Sequence, residues 1–118
     1  VLKNNLAVLL ELTGDVSGAE AAVREALAED PSVPQLSKNL GDLLYRAGKY
    51  DEADEAYQRA AKLAPDLGDD LYFKLGNIAF RQRDTVRARA QWQRTGELNP
   101  DHQLARSNLE SMSSEAEG

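Results

Sequence analysis

The sequence predicts an all-α fold, a short α-solenoid in which three antiparallel helix pairs stack side by side and a seventh helix closes the row. Three observations carry this prediction. The segment Leu40-Gly41-Asp42-Leu43-Leu44 recurs as Leu75-Gly76-Asn77-Ile78-Ala79, with a weaker earlier copy in Leu6-Ala7-Val8-Leu9-Leu10; Gly41 follows Ala7 by 34 residues and Gly76 follows Gly41 by 35. Apolar residues within each copy repeat at helical spacing, as in Leu36, Leu40, Leu43 and Leu44. Aromatic residues make up only 6% of the 118, while alanine and leucine supply most of the apolar content, which favours helix over sheet.

The elements follow in order. Helices are expected near 2–13, 17–29, 34–47, 51–63, 69–82, 85–98 and 101–112. Thr13-Gly14-Asp15 breaks the first from the second, and Ser17 with Glu20 reads as a capping box that starts the second. Asp30-Pro31 and Pro34 end that helix and open the third, because proline costs least where its missing N–H would have no partner. Ala47-Gly48-Lys49 divides the third from the fourth, where Asp51 and Asp54 form a looser capping box. The fourth buries Ala53, Ala56, Tyr57, Ala60 and Ala61 on one stripe. Ala64-Pro65 ends it, and an extra residue near Gly68 lengthens the next turn. Gln82-Arg83-Asp84 is a weaker turn signal between the fifth and sixth, and Asn99-Pro100 ends the sixth. Residues 111–118 are small, polar and acidic and are expected to fray.

In each copy a small residue (Ala19, Ala53, Ala88) is followed four positions on by a large one (Val23, Tyr57, Trp92) and then by Ala26, Ala60 or Thr95. Small residues belong where helix axes approach, and large ones fill the gaps between units. Thr95 in place of alanine, and Ala79 in place of a larger residue, predict looser packing or a changed angle in the third unit.

Composition excludes several functions. The absence of cysteine rules out disulfides, thiolate metal sites and a cysteine nucleophile, and a single histidine rules out a multi-histidine metal site in the chain. The longest apolar run is five residues, Leu6 to Leu10, far short of a membrane span. A net charge of -6 argues against general affinity for nucleic acid or anionic lipid. His102 reads as a helix-start residue, since no serine or cysteine partner motif accompanies it. The acidic run Asp51, Glu52, Asp54 and Glu55 suits a helix N-terminus, and Asp66, Asp69 and Asp70 lack the ligand spacing of a calcium loop. No catalytic residue, cofactor or metal is therefore expected, and the chain is read as no enzyme. It starts at Val1 with no basic-then-apolar leader, so it reads as a piece of a longer chain, with a cytoplasmic location expected.

Charge is uneven along the chain. Residues 1–34 carry -4, residues 35–68 carry -1, residues 69–102 carry +1 and the remainder -2. Lys74, Arg81, Arg83, Arg87, Arg89 and Arg94 face only Asp84 in their stretch. A solvated face is the plain reading; the sharper one is an acidic partner, or head-to-tail contact with the acidic first unit.

These residues resemble the tetratricopeptide repeat pattern W-x2-L-G-x2-Y, then A-x3-F, then P. The second unit supplies Ser37, Leu40, Gly41, Leu44, Ala53, Tyr57 and Pro65 to it, and the third Tyr72, Leu75, Gly76, Ala79, Ala88, Trp92 and Pro100. The first supplies Lys3, Leu6, Ala7, Leu10, Ala19, Val23 and Pro31. The resemblance implies a right-handed superhelix: repeat one at 1–33, truncated at its start, repeat two at 34–68, repeat three at 69–102, a capping helix at 103–112 and a flexible tail at 113–118. Repeat one begins almost inside its first helix with no capping residue before it, so its outer face is expected to be covered by upstream repeats, another domain or a second copy.

The resemblance also implies where a partner binds. In this family the first helices of successive repeats line a concave groove that takes a peptide. The matching positions are Asn4, Asn5, Val8 and Glu11; Lys38, Asn39, Asp42, Tyr45 and Arg46; and Asp70, Phe73, Lys74, Asn77, Phe80 and Arg81. Independently of the resemblance, these positions lie off the leucine stripe yet include three aromatics, beside amides that can pair with a peptide backbone and arginines that can hold a carboxylate. For Phe73 and Phe80 the competing reading is packing against the neighbouring helix. The carboxylate clamp by which some relatives hold chaperone tails is not matched: Asn39 fits and Lys74 stands for arginine, but Asn4, Val8 and Asp70 fill the rest, and an aspartate repels a carboxylate. The expected function is a non-catalytic module that binds a protein or peptide segment. The alternatives are a scaffold that self-associates or stacks on upstream repeats, and a regulatory domain of a larger enzyme. Nucleic acid and membrane insertion are not expected.

Overall fold

The computed structural model describes residues 16–117, with side chains described over 18–112. Among these residues are six helices and no strand: α1 (Val16–Glu29), α2 (Pro34–Arg46), α3 (Tyr50–Leu63), α4 (Asp69–Arg81), α5 (Thr85–Leu98) and α6 (Gln103–Glu117). This is the all-α class expected, helix pairs joined by tight turns. The expected helix 2–13 and the positions Asn4, Asn5, Val8 and Glu11 lie outside the described residues. The helices fall into two compact units, one ending at Leu67 and one beginning at Gly68.

In the first unit α2 packs against both α1 and α3. Pro34 opens α2 behind the extended Val33, as its fixed φ favours. The leucine stripe turns inward as its spacing requires: Leu36, Leu40, Leu43 and Leu44 are buried, and so are Val23 and Ala26 on α1 and Ala53, Tyr57 and Ala60 on α3. Gly41 permits the closest approach, since a Cβ there would stand 2.6 Å from Cδ1 and Cε1 of the Tyr57 ring. Ser17 lies within α1 as described, and α3 begins at Tyr50 behind Lys49, so Asp51 serves as a first-turn acid and not as the cap.

In the second unit α5 packs against α4 and α6. Leu71, Leu75, Ile78 and Ala79 of α4 are buried, with Ala88, Trp92 and Thr95 of α5 and Ala105 and Met112 of α6. A Cβ on Gly76 would fall onto the Trp92 indole, so the Gly41–Tyr57 contact is repeated. The Thr95 hydroxyl, fully buried, donates to the carbonyl of Gln91 at 3.0 Å, so threonine occupies the alanine position without an orphaned polar group. Helix α6 is capped by His102, whose Nδ1 accepts from the Ala105 N–H at 3.2 Å, and it runs to Glu117, past the end expected at 112.

Both pairs turn in the same way. Lys49 N–H donates to the Leu44 carbonyl and Asp84 N–H to that of Ala79, each at 2.9 Å. The left-handed residue that permits this is Gly48 (φ 79°) in the first unit and Arg83 (φ 64°) in the second. Asp84 then caps α5, accepting from Arg87 N–H at 3.1 Å.

Candidate functional site

The expected site residues that fall among the described ones lie on α2 and α4, and the following helix of each unit reaches back to several of them. On α2, Lys38 and Asp42 are one turn apart and pair at 2.9 Å. The Tyr57 hydroxyl of α3 donates to the other oxygen of Asp42 at 2.6 Å. Asn39 accepts from Gln35 at 2.9 Å. Tyr45 meets Tyr50 edge-to-face, ring centroids 5.5 Å apart, and lies 6.5 Å from Tyr57. Arg46 stands exposed in the last turn, where a cation complements the helix dipole.

The second unit repeats this plan with different chemistry. Lys74 pairs with Asp70 at 3.2 Å. Asn77, at the place of Asp42, accepts from Trp92 Nε1 at 3.2 Å, while the same N–H lies 3.3 Å from the Phe73 carbonyl. Phe73 is half-buried and stacks on His102 at 4.6 Å, so its ring packs against the approach to α6. Phe80 lies 5.7 Å from Trp92 yet keeps 48% of its surface exposed. Arg81 is exposed in the last turn of α4, the counterpart of Arg46.

Two participants were not proposed for the site from the sequence. Tyr50 supplies the edge that holds Tyr45. Asn99, which closes α5, donates to Asp69 at the start of α4 at 2.9 Å. That hydrogen bond is the main reason the Asp69 carboxyl titrates below its ordinary value; partial burial opposes it, and backbone N–H groups and nearby His102 add to it. The basic stretch is also partly engaged, since Arg94 lies over the Tyr72 ring at 5.4 Å from its centroid.

No group of metal-ligating side chains occurs among the described residues, and none of their helices is long and apolar enough to cross a membrane. What α2 and α4 offer is recognition chemistry: exposed or half-exposed rings, amides, and paired charges on rigid helices.

A family model described as tetratricopeptide repeat matches residues 38–102. The mouse (Mus musculus) protein O-mannosyl-transferase TMTC1 is 33% identical over 92 residues, which is 75% of this chain but 10% of the mouse protein. Among solved structures, the first repeat domain of Spaghetti (RPAP3) bound to an HSP90 peptide superposes with a TM-score of 0.89 at 20% identity, covering 99% of this chain and 92% of that one. The type III secretion chaperone SycD of Yersinia enterocolitica, in complex with a peptide of the translocator YopD, superposes with a TM-score of 0.89 at 16% identity, covering 98% and 92%.

Proposed function

The chain belongs to the tetratricopeptide repeat family, and from that premise we propose that it is a non-catalytic interaction module whose first helices, α2 and α4, bind a segment of a partner protein. The observation that carries this reading is the pairing of an exposed or half-exposed ring with an exposed arginine at the end of each helix: Tyr45 with Arg46, and Phe80 with Arg81. Rings hold apolar side chains, and arginines hold carboxylates through paired hydrogen bonds. Two relatives of the same fold carry peptides of other proteins, which favours a peptide as the ligand class. Lys38 and Lys74 are bound to Asp42 and Asp70. A free carboxylate would have to displace those aspartates, so a chaperone tail is not the ligand we propose.

The test is capture of partners by the chain and by an Arg46→Glu, Phe80→Ala variant. Both side chains are exposed, so the variant should keep its melting temperature within a few degrees while losing capture. Undiminished capture of the same proteins by the variant would refute the reading. A second reading, a repeat segment serving a larger enzyme, is favoured by the mouse transferase, of which this chain spans about a tenth. A catalytic domain encoded beside Val1 would support it.

A further inference from the structure

Within the first unit, residues of α1, α2 and α3 line an open pocket of about 410 Å³, inside the range of about 300–1,000 Å³ common to ligand pockets. Leu40 and Leu44 line it from α2, and the charged side chains of Arg24, Glu52 and Arg59 stand around it. Ser37 also lines it. The residue is 1% exposed, and its hydroxyl has no hydrogen-bond partner in the protein. Buried hydroxyls are rarely left so, and a helical serine ordinarily bonds the carbonyl one turn back.

The second unit fills the corresponding position with a ring. Thirty-five residues along, the position of Ser37 holds Tyr72 and that of Arg59 holds Arg94. Tyr72 is buried, and the Arg94 guanidinium lies over its ring. The first unit keeps the arginine, held by a 3.4 Å hydrogen bond from Arg59 Nη2 to the Pro31 carbonyl, and keeps the leucine at 40 that corresponds to Leu75. It lacks the ring.

We infer that this pocket is a second binding site, which takes a tyrosine side chain from a partner polypeptide in place of the ring that Tyr72 supplies in the second unit. The ring would lie against Leu40 and Leu44 with the Arg59 guanidinium over its face, and a change of the Ser37 rotamer would turn its buried hydroxyl to the phenol. The site is separate from the one proposed above, because it uses the buried flank of α2 and not the flank of Lys38, Asp42 and Tyr45.

The experiment is an NMR titration of the 118-residue chain with the amides of N-acetyltyrosine, N-acetylphenylalanine and N-acetylleucine. The tyrosine probe should shift the backbone amides of Ser37, Leu40, Leu44 and Arg59 most, the phenylalanine probe less and the leucine probe least. Ser37→Ala should weaken the tyrosine probe several-fold, to the level of phenylalanine. Ser37→Tyr should restore the sister unit's ring, abolish the shifts and raise the melting temperature. Arg46→Glu with Phe80→Ala should leave the titration unchanged, which separates this site from the other. Equal shifts from the leucine probe, shifts centred on Tyr45 or Phe80, or full tyrosine binding by Ser37→Ala would each overturn the inference.

Discussion

The Tyr57 hydroxyl donates to Asp42 Oδ1 at 2.6 Å while Lys38 holds Oδ2 at 2.9 Å, so a ring buried in the core fixes the orientation of a carboxylate on α2. In the second unit Trp92 Nε1 does the same to Asn77. The residue that seals each helix pair therefore also aims a polar group at its surface. The first unit presents a charge there and the second a neutral amide.

Tyr57→Phe should lower stability by about 1–2 kcal/mol, the usual cost of losing a hydrogen bond to a charged group in a half-buried place. Chemical denaturation of both single variants and of the double variant with Asp42→Ala checks this. If Tyr57→Phe costs as much without Asp42 as with it, the bond contributes nothing.

Two glycines should respond in opposite directions. Gly76→Leu forces a side chain onto the Trp92 indole and should cost roughly 1–3 kcal/mol or more. Gly96→Ala adds a methyl in α5 with no neighbouring atom within 4 Å. It should gain about 0.5–1 kcal/mol from helix propensity alone. Melting temperatures that fall for the first and rise for the second are the expected result; an unchanged value for Gly76→Leu would contradict the close-packing account.

Arg83→Gly should stabilise the chain by roughly 0.5–1 kcal/mol. Arg83 occupies a left-handed conformation that costs a side-chain-bearing residue about 1 kcal/mol or more, and glycine's looser unfolded state returns only part of that gain. The reciprocal change, Gly48→Arg, should destabilise the matching turn of the first unit. Thermal unfolding that ranks the two otherwise would rule this out.

Asp69 should make stability depend on acid. Its folded pKa is lowered from 3.8, chiefly by Asn99. The associated stability is present above the unfolded value near 3.9 and is lost as pH falls through the folded one. Because the group is largely solvated the effect is small, but Asp69→Asn and Asn99→Ala should both reduce the drop in melting temperature between about pH 5 and about pH 2.5. An acid response identical to that of the unaltered chain in both variants would assign the dependence elsewhere.

Much of the architecture is legible because burial imposes a period. Leu36, Leu40, Leu43 and Leu44 declare one face of α2, and Gly41 and Gly76 mark the two places where a ring from the next helix needs room. The signals that fail are those without a residue-type signature. Arg83 turns the chain as Gly48 does, but arginine does not announce a left-handed residue. The serines at 111, 113 and 114 suggest an end, yet α6 continues through them, with Met112 buried just before. At the site, the spacing brings Asp42 and Asn77 to corresponding places, but that each is held by a ring fifteen residues on depends on side-chain reach. The pocket at Ser37 is less visible still, because it arises from a ring that is missing.

Trp92 is the only tryptophan in the chain, and it is buried in the second unit. Its emission therefore reports on the unit from Gly68 onward. Far-ultraviolet circular dichroism sums over every helix. A denaturation curve that coincides by the two signals means the halves melt as one body, and a gap between the curves measures how far each stands alone.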